Sequence, residues 1–420
     1  LKEKDIKSII KKIYDYNLSV RDTEKLAFKL VNMTSFIRFQ QMKTAIHWVK
    51  QHQRDIYNKT KKYVNISTYL NYKLTGELVD TPAAVIGHYP LEYRTGKWYS
   101  HHSIKYGVFD IKESTYCTLK KPGEILGYLK QYILDILGID YQIPLIGSGS
   151  DKSCESLGNG CIDETFASIS YGTASTVTIT SKKYVEPSPF LPAYTAAQNG
   201  YFNSELQIYR GYWMLNWFKD EFCKDEIKKY PNEHAFFDYL DQVIEKIPPG
   251  DDGLILQPYW GPCLERPNAR GAILGFSERH DKYHIYRAII EGIAYCLKEG
   301  FERIQKKENK KVKYLVCSGG GSTSDIVLQI TADIFNLPVY RAPTTETSSL
   351  GAAIVGFMSL KRFSSYQEAK DSMVHYKKEF LPIKENHQLY QKLYEKVYLK
   401  MYKQLKNIDA TLREFTNERF

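Results

Sequence analysis

Residues 143–180 constrain the fold more than any other stretch, because they place an acidic residue between strand patterns in a fixed order. A short apolar run predicts a buried strand, and the flexible Gly147–Ser150 loop after it would present Asp151 to a cleft. The runs Phe166–Tyr171 and Thr176–Thr180 predict the two strands of a hairpin. A carboxylate presented in this way is a candidate general base.

The turn of the predicted hairpin consists of small residues that would let a phosphate approach the backbone. Its N–H groups and the Thr173 and Ser175 hydroxyls could donate to phosphate oxygens. An acid followed by such a turn suggests phosphoryl transfer, with Asp151 deprotonating an acceptor hydroxyl while Gly172 and Thr173 hold a triphosphate. A simpler interpretation stays open, since an Asp after a Gly-Ser loop is commonly a turn or helix cap and Gly-Thr is commonly a tight turn.

Length and charge limit the classes of protein to consider. With 420 residues, 43% of them hydrophobic and 25% charged, the chain can form two or three globular domains. The net charge of +10 comes from lysines spread along the chain, without a dense basic block or an aromatic-basic motif. We therefore expect a solvated surface and no nucleic-acid partner.

The cysteines and the apolar runs indicate the compartment. Seven cysteines without a C-x-x-C pair form neither a disulfide framework nor a zinc site, so a reducing, cytoplasmic location is expected. No apolar run approaches the roughly 18 residues of a membrane span, so no membrane partner is expected. The first residue is Leu, which suggests that the chain begins inside a longer gene product.

Apolar periodicity predicts the main helices. Helical spacing appears across residues 5–58, again over 63–74 with a stop at Gly76, and over 123–137. The strongest helical pattern covers residues 284–304. A stripe of leucines and tyrosines over 385–408 predicts a docking surface at the end of the chain.

A second candidate phosphate-binding element lies further along the chain. The apolar run 312–317 predicts a buried strand that leads into Gly319, Gly320, Gly321 and Ser322, and a helix is predicted over Asp325–Phe335. Strand, glycines and helix N-terminus is an arrangement in which a nucleotide can lie against bare backbone. A glycine-rich turn can also serve packing alone, so both interpretations stay open.

Several motifs, taken together and in order, resemble the FGGY family of carbohydrate kinases, and its xylulokinase-like branch in particular. They are Gly271–Phe276 followed after seven residues by His284–Glu291, together with 267–271, 318–322, 329–333 and 346–353. Residues 75–98 are similar to the N-terminal domain of the family. The resemblance extends over nearly the whole chain.

The resemblance implies an α/β fold of two actin-like, ribonuclease-H-like domains around a central cleft. It places the N-terminal domain at 1–163 and the C-terminal, nucleotide-side domain at 164–420. It implies that Asp151 is the general base, that Gly172 and Thr173 hold phosphates, and that Gly319–Ser322 lines the adenosine site. It also implies ATP and Mg²⁺ as cofactors and a small-molecule sugar as partner, with a homodimer as one open assembly state.

Two departures from the family pattern bear on the substrate. The family expects a Lys three residues before the tryptophan of its N-terminal signature, whereas Ala45 precedes Trp48 at that spacing. The family also opens with a strand that carries an Asp-x-Gly-Thr phosphate loop, and the sequence contains none. We therefore expect an incomplete first domain.

These patterns leave three functions to compare. The first is ATP-dependent phosphorylation of a sugar hydroxyl, with a ketopentose such as xylulose as substrate. The second is a non-catalytic nucleotide-binding remnant, which the missing phosphate loop favours. The third is a polyol kinase of the glycerol type, against which the xylulokinase-like segment 267–275 argues.

Overall fold

The computed structural model describes residues 44–87, 89–100, 109, 111–188, 191–261, 266 and 269–415. It consists of two compact units, Leu1–Ser150 and Asp151–Phe420. The helices predicted before residue 44 lie outside the described residues, as do Pro267 and Asn268. The domain boundary expected after residue 163 stays a prediction.

The first unit combines short helices with strands that pair two by two. Its helices are α1 (Ala45–His52), α2 (Arg54–Lys59), α3 (Ile66–Thr75) and α4 (Gln131–Leu137). Within its described residues β1 (Val79–Asp80) runs parallel to β4 (Thr118–Leu119), while β2 (Leu91–Glu92) pairs antiparallel with β3 (Lys97–Trp98) and β5 (Ile125–Tyr128) with β6 (Pro144–Ile146).

Two sequence predictions in this unit have opposite outcomes. The helix stop at Gly76 is confirmed, because α3 ends there with φ +90°, a left-handed conformation that glycine adopts without strain. The helix predicted over 123–137 is wrong in its first half, where Ile125–Tyr128 is strand β5. The reason is tertiary: this short apolar run pairs with β6, and a local period cannot reveal that distant partner.

A seven-stranded mixed sheet forms the centre of the second unit. Its strands are β7 (Phe166–Tyr171), β8 (Ser175–Ser181), β9 (Tyr194–Thr195), β10 (Phe202–Ile208), β13 (Tyr314–Ser318), β14 (Val339–Arg341) and β15 (Glu379–Phe380). They lie in the order β15-β14-β13-β7-β8-β10-β9, with β14, β13 and β7 parallel to one another. A separate hairpin joins β11 (Ile255–Gln257) and β12 (Ala272–Leu274). The predicted hairpin of β7 and β8 is confirmed.

Helices cover this sheet and extend to the end of the described chain. They are α5 (Asp151–Gly158), α6 (Trp213–Phe222), α7 (Glu233–Ile244), α8 (Lys282–Gln305), α9 (Asp325–Phe335), α10 (Thr347–Ser359), α11 (Tyr366–Met373), α12 (Lys384–Leu393) and α13 (Leu399–Phe415). The strong helical pattern at 284–304 is thus confirmed as α8, and the one at 325–335 as α9. The tail is helical as predicted, with a π-helical segment at Tyr394–Tyr398 between α12 and α13.

The two faces of the sheet differ in chemistry because side chains alternate along each strand. One face is apolar and fully buried, with Ile169 and Val177 among its residues, and it packs against α8. The opposite face is polar although it is also buried, and it carries Ser168, Ser170 and Ser318. Helix α5 lies over this polar face, where Asn159, which follows the helix, donates to the Ser168 hydroxyl at 2.8 Å. Among the described helices, each is too short or too polar to span a bilayer.

Candidate functional site

Asp151 is the first residue of helix α5, directly after the loop that follows β6. Its side chain is exposed, and one carboxylate oxygen accepts from the Lys152 backbone N–H at 2.8 Å. Its backbone carbonyl accepts from the Ser348 hydroxyl of α10 at 3.0 Å. The fold therefore fixes the backbone of Asp151 while the carboxylate faces solvent, as a proton acceptor for a bound substrate must.

Two glycines bring α5 and α10 into backbone contact. A methyl group on Gly158 would overlap the carbonyl oxygen of Thr347, and one on Gly351 would overlap that of Cys154. Only residues without a side chain allow so close an approach. The position of Asp151 in this unit thus depends on the α5–α10 pair.

The hairpin turn lies at the end of β7, as the sequence predicts. The carbonyl of Gly172 accepts from Tyr212 N–H at 3.1 Å and that of Thr173 from Trp213 N–H at 3.3 Å, so the start of α6 holds the turn. Thr173 is exposed and its hydroxyl can meet a ligand. Ser175 is different: it is completely buried, so the expectation that its hydroxyl also donates to a phosphate is wrong.

The glycine-rich turn follows β13 and begins a 3₁₀ turn at Gly320–Thr323. Gly319 has φ +82° and lies against the Tyr171 backbone, where an added methyl group would come within 2.8 Å of the carbonyl. A methyl group on Gly321 would overlap the Tyr212 ring, whereas one on Gly320 would meet no atom within 4 Å. Packing explains the first and third glycines, and the second leaves exposed backbone that a ligand can approach.

Ser322 has a structural part in this turn. It is buried, and its hydroxyl donates to the Gly319 carbonyl at 2.7 Å. Its own carbonyl accepts from Arg341 Nε at 2.8 Å. Helix α9 begins just beyond, where the Ser324 hydroxyl accepts from Val327 N–H at 3.2 Å. Ser322 therefore shapes the turn, so its proposed contact with a nucleotide would be through the backbone.

The sheet brings these elements together at one edge. Strands β7 and β13 are parallel neighbours with Ser170 opposite Ser318, so the turns that follow them leave the same edge. The Tyr212 ring lies 4.8 Å from the Tyr171 ring and also packs against Gly321. Tyr212 therefore connects the two turns. Lys152, the neighbour of Asp151, donates from Nζ to the Ser170 hydroxyl at 2.8 Å. All seven predicted site residues thus belong to segments that are connected within one unit.

Several polar residues around this site are not apparent from the sequence motifs. Burial raises the pKa of Glu205 on β10 to about 7, opposed by Lys152 and a hydrogen bond from Thr178. Lys152 also pairs with Glu155, whose carboxylate lies 2.7 Å from Nζ. The signal that could have revealed them is the alternation of Thr with Val and Ile in β8, which indicates one polar face of the sheet.

Comparisons with known proteins identify the family. Residues 25–158 match the model of the N-terminal domain of the FGGY family of carbohydrate kinases, and 167–360 match the model of its C-terminal domain. The uncharacterized sugar kinase YgcE of Escherichia coli is 30% identical over 328 residues, which cover 78% of this chain and 66% of that protein. The xylulose kinase of Lactococcus lactis is 26% identical over 379 residues, 88% of this chain and 73% of that protein.

Solved structures agree with these matches. The ligand-bound xylulose kinase from Lactobacillus acidophilus superposes with a TM-score of 0.77 at 23% identity, covering 92% of this chain and 78% of that chain. Plasmodium falciparum glycerol kinase with ADP gives 0.68 at 20% identity, covering 84% of this chain and 70% of that chain. These likenesses confirm the α/β fold of two actin-like domains. With both family domains matched in order, the chain belongs to the FGGY family of carbohydrate kinases.

Proposed function

We propose that this chain catalyses transfer of the γ-phosphoryl group of ATP to a hydroxyl of a small sugar. The observation that carries the proposal is the convergence of three segments in one unit: the helix that begins at Asp151 and the turns that follow β7 and β13. An exposed carboxylate beside two phosphate-accessible turns is the set of groups that phosphoryl transfer requires. Family membership supports the same reaction.

Each predicted residue has a proposed role. Asp151 takes the proton of the attacking sugar hydroxyl, which makes the oxygen a better nucleophile. The Gly172 backbone and the exposed Thr173 hydroxyl bind phosphate oxygens. The Gly319–Ser322 turn lines the adenosine site, with Gly320 giving the ligand access to the backbone.

The residues present fit a nucleotide held by backbone and hydroxyl groups, because Gly320 and Thr173 are both exposed. The described residues contain no group of three or more His, Cys, Asp or Glu side chains that could hold a metal. Mg²⁺ commonly binds through substrate phosphates and only one or two carboxylates. We therefore assign no protein ligand to Mg²⁺, whose contribution when bound is to neutralise phosphate charge.

The relatives support a proposal for the substrate class. Xylulose kinases and gluconokinases are among the curated proteins that match, at 25–28% identity. We propose a ketopentose such as xylulose as the first candidate, with an aldonate next and a polyol such as glycerol third. A cytoplasmic location suits a sugar kinase, and a homodimer is the assembly that we propose to examine first.

The test is Mg²⁺-dependent ADP release from ATP with a panel of pentuloses, hexuloses, aldonates and polyols. Parallel reactions without sugar measure background ATP hydrolysis. We expect one sugar to raise ADP release at least about tenfold over that background. The reason is that a hydroxyl positioned by the site accepts the γ-phosphoryl group faster than water does. ATP binding without stimulation by any sugar would contradict catalysis and favour the nucleotide-binding module.

A further inference from the structure

A buried polar network connects helix α5 to the ends of β7 and β13. Glu155, one turn into the helix, accepts at Oε2 from Lys152 Nζ and at Oε1 from the Ser318 hydroxyl, both at 2.7 Å. Lys152 Nζ also donates to the Ser170 hydroxyl at 2.8 Å. Asn159 then donates to the oxygen of Ser318 at 2.9 Å.

The network is shielded from solvent. Glu155 is 7% exposed, Ser318 1% and Asn159 0%, whereas Lys152 is partly exposed. A carboxylate in such surroundings is costly unless hydrogen bonds satisfy it, and both oxygens of Glu155 have a partner. Charge-assisted bonds of this kind have well-defined lengths and directions, so they fix the groups that they join.

The members of the network are close in sequence to the predicted site residues. Lys152 follows the candidate base Asp151, Ser318 precedes Gly319 of the nucleotide turn, and Ser170 lies two residues before Gly172 of the hairpin turn. One carboxylate therefore contacts, directly or through Lys152, every segment that carries a predicted catalytic or nucleotide-binding residue. Hydrophobic packing alone would leave the register between these segments less well defined.

We propose that Glu155 is a positioning residue for phosphoryl transfer. It holds the Asp151 helix and the two phosphate-accessible turns in one fixed relation, with Lys152 and Ser318 as its links. This inference rests on the proposed kinase function. It predicts that the network affects both nucleotide affinity and turnover, although Glu155 itself is buried.

The experiment compares Glu155→Gln, Ser318→Ala and the double variant, with Ser204→Ala as a matched control. Ser204 is also completely buried in the sheet, and its hydroxyl donates to the Val185 carbonyl at 2.6 Å, outside the network. Calorimetry measures the Mg-ADP affinity, and a steady-state assay with the best sugar of the panel measures kcat. Both are carried out at a temperature below the melting point of every variant. Ser318→Ala, a small change, keeps the test decisive if Glu155→Gln fails to fold.

We expect each single variant to weaken Mg-ADP binding about three- to tenfold, the effect of one lost hydrogen bond, and to lower kcat about tenfold. The Mg-ADP affinity and kcat of the double variant should lie within about twofold of those of the more impaired single variant, because both changes break one network. Ser204→Ala should leave both quantities near the wild-type values. Lys152→Arg, which keeps the charge, should retain more kcat than Lys152→Met.

Three results would overturn the inference. Wild-type ADP affinity and kcat in Ser318→Ala, or fully independent effects in the double variant, would overturn the positioning role and leave the kinase function intact. Absence of both ADP binding and turnover in the wild-type chain would overturn the proposed function and this inference with it.

Discussion

At the scale of single residues, the three glycines after β13 have different physical reasons to be glycine. Gly319 adopts a positive φ and Gly321 lies against an aromatic ring, so both are needed for packing. Gly320 has neither constraint, and a methyl group added there would meet no atom within 4 Å. Of these three glycines, we therefore expect only Gly320 to be glycine because a ligand approaches its backbone.

Gly320→Ala and Gly321→Ala form a matched pair that separates packing from binding. Gly320→Ala should leave the melting temperature near that of the wild type and weaken Mg-ADP binding about tenfold, because the methyl group would occupy the ligand's path. Gly321→Ala should lower the free energy of unfolding by about 1–3 kcal/mol, because the methyl group meets the Tyr212 ring. Thermal denaturation and calorimetry measure both. Unchanged ADP affinity in Gly320→Ala would contradict the assigned nucleotide turn.

At the scale of elements, the contact between α5 and α10 fixes the helix that begins at Asp151. The helices meet at Gly158 and Gly351, where backbone atoms of one touch the other, and the Ser348 hydroxyl binds the Asp151 carbonyl. A change at this contact should therefore reach the site through the helix.

Gly351→Ala tests that connection, with Gly356→Ala on the same helix as its control. A methyl group at Gly351 would overlap the Cys154 carbonyl, so the helices must separate, at a cost of about 1–3 kcal/mol in unfolding free energy. Turnover should fall as well. A methyl group at Gly356 meets no atom within 4 Å and should stabilise the helix by about 0.5–1 kcal/mol. Equal stability and equal kcat in the two variants would show that the close contact is unimportant.

The elements also show what the sequence could and could not predict. Long periodic segments such as α8 and α9 and the strands of the hairpin were predictable, because their local pattern and tertiary surroundings agree. The local apolar pattern of strand β5 predicts a helix, because it carries no information about the partner strand β6 further along the chain. The Glu155 network could not be derived either, since its central bond joins Glu155 to Ser318, 163 positions away in the sequence.

At the scale of the whole molecule, one buried carboxyl group should make stability depend on pH. Asp251 is fully buried, and its carboxylate oxygens have no hydrogen-bond partner among the described residues. Burial, reinforced by the nearby Glu291 carboxylate and opposed by Arg287, raises the pKa of Asp251 to about 9. The folded protein therefore holds a proton that the unfolded chain releases near pH 4.

The free energy of unfolding should accordingly decrease as pH rises from about 4 to 9, because the folded state binds the extra proton in this window. The contribution of Asp251 to the slope is at most about 1.4 kcal/mol per pH unit. Asp251→Asn should flatten the dependence and stabilise the protein at pH 8. Asp225→Asn, at an exposed carboxylate that does not contribute to the Asp251 pKa, is the control. Urea denaturation from pH 5 to 9 measures the free energy of unfolding of each variant. The same slope against pH in Asp251→Asn as in the wild type would contradict an uncharged, buried carboxyl group at Asp251.

The most direct measurement of the central claim compares kcat and ATP affinity in Asp151→Asn, the wild type and Asp225→Asn, an exposed carboxylate of the same unit. If Asp151 is the general base, kcat for the best sugar should fall about 10²- to 10⁴-fold while ATP affinity stays within about twofold. Asp225→Asn should match the wild type in both. Wild-type turnover in Asp151→Asn would contradict the account, because no proton acceptor would then be assigned at this site.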